Sequence, residues 1–361
     1  MKLLLKQIAQ LAGSVLALYA VVLVLSLLLV PRSATGSRLN TATAGSSLFL
    51  TEPKYVFMTR SQLDSTAEKT ILVGASNMQA GLKQPEVQAL LPGVEVHNLS
   101  VGGSNITQID QIIGLVQEAQ SPEAQRHATF VIGLWYGVFA ADKARWYTAD
   151  RHAGDTDIDI ERYRYGFYRR TAGGPVPVLP SASLDLGVGL IHPYLVMDWS
   201  ARRVSSGVRD RLPGRKPVVT EAQRNATVVS EAQRRSYLAY WREYMGGVDA
   251  LESPPFEVLE RLVERIRATG ARVVLVDLPI PHWHSEGSPL WHDYRRRVDP
   301  LLDQLAGRAG VRVVRLGADN QGHNGDDDFS DEVHPKPRVS PQWAAGLAQA
   351  LNPEFAALQK F

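Results

Sequence analysis

Between Lys6 and Arg32 the chain carries no charged side chain, and Leu16 through Val30 is almost wholly aliphatic. A run this long and apolar has to leave water. At ~1.5 Å rise per residue, a helix over residues 7–31 reaches across the ~30 Å hydrocarbon core of a bilayer with allowance for tilt. A cleaved export signal is the alternative, but its apolar stretch is typically about 7–15 residues and small residues follow it closely. Here the run is longer and gives way to Pro31-Arg32-Ser33, with Ala42-Thr43-Ala44 far downstream. An uncleaved anchor is therefore expected. Lys2, Lys6 and the amino terminus precede the span, against Arg32 and Arg38 after it. This bias favours a cytoplasmic segment 1–6 and an exported body.

Charge and cysteine content narrow the body. Of 361 residues, 39 are Lys or Arg and 37 are Asp or Glu, a net charge of +2 that argues against a dedicated nucleic-acid binder. There is no cysteine. Thiolate nucleophiles, thiolate metal sites and disulfides are excluded, and any chemistry falls to Ser, His and carboxylates. Ser33–Ser47 is rich in Ser, Thr, Ala and Gly, so residues 32–55 read as a linker.

From residue 56 onward strands alternate with helices. Thr70–Gly74, Val94–Leu99, Thr129–Leu134, Arg272–Asp277 and Val311–Leu316 are short β-branched runs. Between them lie helical patterns: Pro85–Leu91 with proline in its first turn, the Ile106/Ile109/Ile112/Ile113/Val116 series capped by Ser104 or Asn105, Phe256–Thr269 closed by Gly270, and Tyr294–Leu305. Five strands separated by helices imply a parallel α/β sheet covered on both faces, with functional residues at the carboxyl ends of the strands. Residues 140–253 break the rhythm with Arg and aromatic residues, including Tyr163–Arg170, and read as a helical insertion covering the site. Within it Arg202, Arg203, Arg209, Arg211, Arg215 and Lys216 form a basic stretch suited either to headgroups or an anionic polymer, or to plain solvent.

Three motifs fall at strand ends. Gly74-Ala75-Ser76-Asn77 follows the first strand, where a turn exposes a hydroxyl; Met78 stands where an α/β-hydrolase elbow needs glycine. Asn98-Leu99-Ser100-Val101-Gly102-Gly103-Ser104 follows the second, its glycines allowing close backbone approach to a ligand. Asp331-Glu332-Val333-His334 sets a carboxylate to orient an imidazole, as general-base activation of a hydroxyl requires. Asp326-Asp327-Asp328 reads as a solvated loop rather than a metal site. His282 and His284 stand together without a third ligand, so no metal and no cofactor is expected.

In their order and positions these motifs resemble the SGNH (GDSL-like) hydrolase superfamily, over about Ile71–Leu134 and Arg272–Leu351. The resemblance implies a flavodoxin-like three-layer sandwich with Ser76 as nucleophile, His334 as base and Asp331 orienting it. The Ser76 and Gly103 amides would form the oxyanion hole. Two departures stand out. Ala75 replaces the usual acidic residue before the serine, and Gly133-Leu134-Trp135-Tyr136 replaces the block that supplies an asparagine donor. Losing one such donor costs roughly 3–4 kcal/mol in enzymes built around it.

The departures and the single anchor are similar to DltD-type proteins of D-alanyl transfer to teichoic acid, and to membrane-tethered proteins of alginate and exopolysaccharide O-acetylation. That likeness implies an O-acyltransferase on the outer (periplasmic) side of the cytoplasmic membrane. Its partners would be a membrane-bound O-acyltransferase (MBOAT) and a polysaccharide or teichoic-acid-like acceptor. Trp135, Tyr136, Trp283 and His284 are candidate substrate contacts. An esterase or a non-catalytic polymer-binding scaffold remains the alternative.

Overall fold

The computed structural model describes residues 1–29, 56, 59–140, 155, 157–164, 166–180, 183–184, 186–194, 196–197, 208 and 219–319, together with 325–351. The linker expected over 32–55 and the basic residues of 202–216 lie outside them. Helix α1 (Lys2–Leu29) is the one helix among the described residues long and apolar enough to cross a membrane.

Seven strands follow among the described residues: β1 (Lys69–Val73), β2 (Glu95–Asn98), β3 (Ala128–Leu134), β4 (Tyr168–Thr171), β5 (Gly174–Pro177), β6 (Arg272–Asp277) and β7 (Val311–Arg315). Five of them form one parallel sheet in the order β2-β1-β3-β6-β7. The order reverses at β1, so the chain winds outward from β1 to both edges. A crevice beyond the carboxyl ends at such a reversal is where open α/β sheets bind ligands.

Alternation along the strands builds two cores. Ile71, Val73, Phe130, Ile132, Val273 and Leu275 face one side, against α4 (Ile106–Ala119), α7 (Pro254–Ala268) and α9 (Pro289–Ala306). Leu72, Val131, Val274 and Val276 face the other, against α2 (Ser76–Gly81), α3 (Gln84–Leu90) and α10 (Ser340–Leu351). The isoleucine series of α4 is buried as its spacing requires. Its cap is Asn105, whose side chain accepts from the Gln108 amide while the Gln108 side chain accepts from the Asn105 amide. Gly270 closes α7 with φ +84°, a conformation open to glycine at little cost.

The insertion departs from the expected all-helical reading. β4 and β5 form an antiparallel hairpin from Tyr168↔Pro177 to Thr171↔Gly174. Arginines and prolines hide it, because an exposed two-stranded ribbon needs no apolar alternation and tolerates proline at its edges. Helices α5 (Glu221–Asn225) and α6 (Glu231–Tyr244) complete the described part; each opens on a Thr or Ser capping box with glutamine. The last of the helices used below, α8 (His282–Gly287), follows β6.

Met78 explains two glycines. A Cβ on Gly74 would meet the Met78 sulfur at 2.7 Å, and one on Gly133 would meet it at 2.2 Å. The α2 helix thus lies down on the sheet with Met78 filling the gap above β1 and β3. Gly133→Ala is expected to lower stability by about 1–3 kcal/mol through overpacking. Thermal unfolding of the full chain in detergent checks this, and the Gly133→Ala/Met78→Ala double variant should lose less than the sum of the singles.

Candidate active site

The site is assembled from three loops at the carboxyl ends of the strands. β1 runs into Ser76, the first residue of α2, after an extended Ala75. The loop after β2 is tied to the first. Val101 N donates to Gly74 O at 2.8 Å, and Ser104 Oγ donates to the same carbonyl at 3.0 Å. These bonds lay Gly102 beside the serine, where a Cβ would sit 3.5 Å from that of Ser76. Gly103 follows with φ +72°, which selects glycine. Asn98 serves the turn itself, donating to Leu82 O and accepting from Ser100 N.

The third loop brings the imidazole. His334 Nε2 lies 2.7 Å from Ser76 Oγ. On the far side of the ring, Nδ1 is 2.9 and 2.8 Å from the two Asp331 oxygens. Asp331 Oδ1 also accepts from the amides of Val333 and His334 at 3.0 and 2.8 Å. With Nδ1–H donating to the carboxylate, Nε2 is free to accept the serine proton. Burial disfavours the charged ring, but the Asp331 bond and charge, joined by Glu332, outweigh it and hold His334 above the ordinary histidine value. Burial pushes Asp331 up; the His334 bond and charge and the two amides win, and its carboxyl is held low. Serine and histidine both keep partial exposure, so a reactant reaches them.

For an oxyanion, the amides of Ser76 and Gly103 donate to no acceptor among the described residues. The residues after β3 hold tryptophan and tyrosine where asparagine was missing, and both are buried. Two further N–H donors, Asn77 Nδ2 and Trp135 Nε1, are buried without a partner among the described residues.

The four expected substrate contacts are buried side chains. Tyr136 and His284 are wholly buried, and Trp135 and Trp283 nearly so. They form a wall beside the histidine loop. Trp283 stacks on His284 and faces Tyr237, with the Arg234 guanidinium over its ring. Trp135 meets Trp241 edge-on. Tyr237 and Trp241 belong to α6, so the insertion seals this wall from outside. Of the expected solvated loop Asp326–Asp328, Asp327 is exposed and Asp326 partly so, while Asp326 accepts from Trp283 N at 3.1 Å and pairs with Arg234, and the buried Asp328 pairs with Arg338.

Sequence alone missed what the wall does. His284 Nδ1 donates to the Glu332 carbonyl at 2.7 Å, and Tyr136 Oη donates to Nε2 at 2.6 Å. Burial drives the His284 pKa down to about 4, so the ring is neutral and its tautomer is fixed by its two partners. Through that carbonyl His284 holds the segment between Asp331 and His334. No local spacing signals a bond between residues so far apart in the chain.

Among the described residues no cluster of three His, Asp or Glu side chains is arranged to hold a metal ion. A cleft of about 500 Å³ lies at the opposite, amino ends of the strands, lined by residues such as Glu68, Lys69, Thr129 and Arg272, and is not lined by Ser76, Asp331 or His334. Compared with known families and curated proteins, the chain matches no family model and no curated sequence.

Proposed function

We propose that the chain is a membrane-anchored SGNH-type O-acyltransferase acting outside the cytoplasmic membrane on hydroxyls of a cell-surface polysaccharide or teichoic-acid-like polymer. The observation that carries the reading is the hydrogen-bonded series Ser76 Oγ–His334 Nε2, His334 Nδ1–Asp331. A nucleophile, a base and an orienting carboxylate at hydrogen-bond distance are the parts nucleophilic acyl transfer needs. The strand order and the sequence motifs support the SGNH assignment, and α1 supports the anchor.

In this reading Ser76 Oγ attacks the acyl carbonyl carbon of the donor as His334 Nε2 takes its proton. The Ser76 and Gly103 amides meet the charge developing on the carbonyl oxygen. The donor's leaving group departs with the proton from His334, leaving an ester on Ser76. A polymer hydroxyl then attacks that ester, His334 takes its proton, and Oγ recovers a proton as the acylated polymer leaves. Acetyl is the first candidate for the acyl group and D-alanyl the second. The donor side is assigned to an MBOAT partner in the membrane, and tethering raises the effective concentration of serine and donor to about millimolar.

Acyl content of the surface polymer in a Ser76→Ala strain tests this. Transfer predicts loss of acyl groups. A rise would instead identify an esterase, and an unchanged content that still depends on the protein's presence would identify a scaffold.

A further inference from the structure

Residues 186–194 and 196–197 of the insertion are helical, and both sides of that helix are apolar. Leu184, Val188 and Val196 point inward and join the main core, with Ile191 packed against it. Gly187 lies so close to Phe167 that a Cβ would meet its ring at 2.8 Å. The opposite face carries Leu186, Leu190, Tyr194 and Met197, spaced i, i+4, i+8 and i+11, and all four are exposed, Leu186 by 67% and Met197 by 62%. Such a continuous apolar stripe marks an interaction surface.

Its neighbour says what that surface meets. His192 Nδ1 is 2.9 Å from Ser26 Oγ of α1, and Tyr19 Oη of α1 donates to the Leu190 carbonyl. At ~1.5 Å per residue, Ser26 lies roughly 5 Å and Tyr19 roughly 15 Å from the end of α1 along its axis. Arg32 is the first charge after α1, which sets the outer edge of the hydrocarbon near that end. The exposed stripe therefore flanks the outer portion of the anchor at the depth of acyl chains.

We infer that this stripe is a second membrane contact, immersed in the outer leaflet beside α1 with lipid acyl chains as its occupant. It rests on the reading of α1 as membrane-crossing. An interfacial apolar face of this kind adds to a single anchor and fixes how the domain sits on the bilayer. A free tether would let the domain turn; two contacts hold it in one orientation.

The absence of cysteine makes the test direct. Single variants Leu186→Cys, Tyr194→Cys and Met197→Cys of the full chain, spin-labelled in phosphatidylcholine–phosphatidylglycerol vesicles, report accessibility to oxygen and to a water-soluble nickel chelate. Val15→Cys in α1 and Val248→Cys in the exposed loop between α6 and α7 are the references. The stripe should give oxygen-to-nickel ratios near that of Val15→Cys and several-fold above that of Val248→Cys. Ratios matching Val248→Cys, with Val15→Cys still in hydrocarbon, would overturn the stripe and spare the anchor. A Val15→Cys label in water would overturn both. Low access to both reagents with spin–spin broadening would mean that protein covers the stripe, overturning the lipid assignment.

Discussion

Asp331→Asn is expected to cut turnover of a p-nitrophenyl acyl ester by about 10⁴-fold while leaving the fold intact, the size of loss such a change causes where a carboxylate orients a catalytic histidine. The reason lies in the proton inventory. Asp331 only accepts, and so requires a proton on His334 Nδ1. An asparagine amide turned toward the ring would donate, moving the ring proton to Nε2, where it can no longer accept from Ser76. The pH profile should move as well. His334 must be neutral to act as a base, and its pKa is held above the ordinary histidine value, so the proposed activity of the wild type should rise as pH climbs through that raised value. Without the Asp331 charge the residual activity should rise at lower pH. An Asp331→Asn protein with the wild-type rate and an unshifted acid limb would remove Asp331 from this role.

His284→Leu should be the most disruptive change behind the site. It leaves the Glu332 carbonyl and the Tyr136 hydroxyl without their partner in a dry interior, at a cost of about 2–5 kcal/mol. Acid sensitivity identifies the cause. In the folded chain burial pushes His284 down to about 4, below the ordinary histidine value of about 6.5, so the unfolded chain binds its proton first. The neutral ring's contribution is complete above the unfolded value and is lost as pH falls through the folded one, about 3 kcal/mol over the window. Thermal unfolding of the full chain in detergent between pH 7 and 4 should show this decline in wild type and a flatter curve in His284→Leu. His284→Asn retains a donor near the Nδ1 position and should recover part of the stability and of the turnover. Equal loss of turnover in the leucine and asparagine variants would mean that the bond to Glu332 does not position the loop.

Much of this was legible in the residues. β-branched runs between helical spacings marked the five parallel strands, β6 to the residue, because strands buried on both faces need little besides aliphatic side chains. Ser76, Asp331 and His334 could be read as one site because strand ends converge at one edge of a parallel sheet, however far apart they lie in the chain. The hairpin of β4 and β5 escaped because its stability owes nothing to a pattern of period two. Trp135, Tyr136, Trp283 and His284 are residue types that pack or bind near a site, and the structure has them buried. Residue type signals affinity for an aromatic neighbour without saying whether that neighbour is a ligand or, as here, Trp241 and Tyr237 of the insertion.

The serine and its histidine are 258 positions apart, and the histidine loop precedes the final described helix, whose Trp343 closes over Gly81 at the end of α2. Synthesis from the amino end makes Ser76 long before His334. The hydroxyl therefore gains its imidazole partner only once the segment that carries His334 and Trp343 has docked against α2.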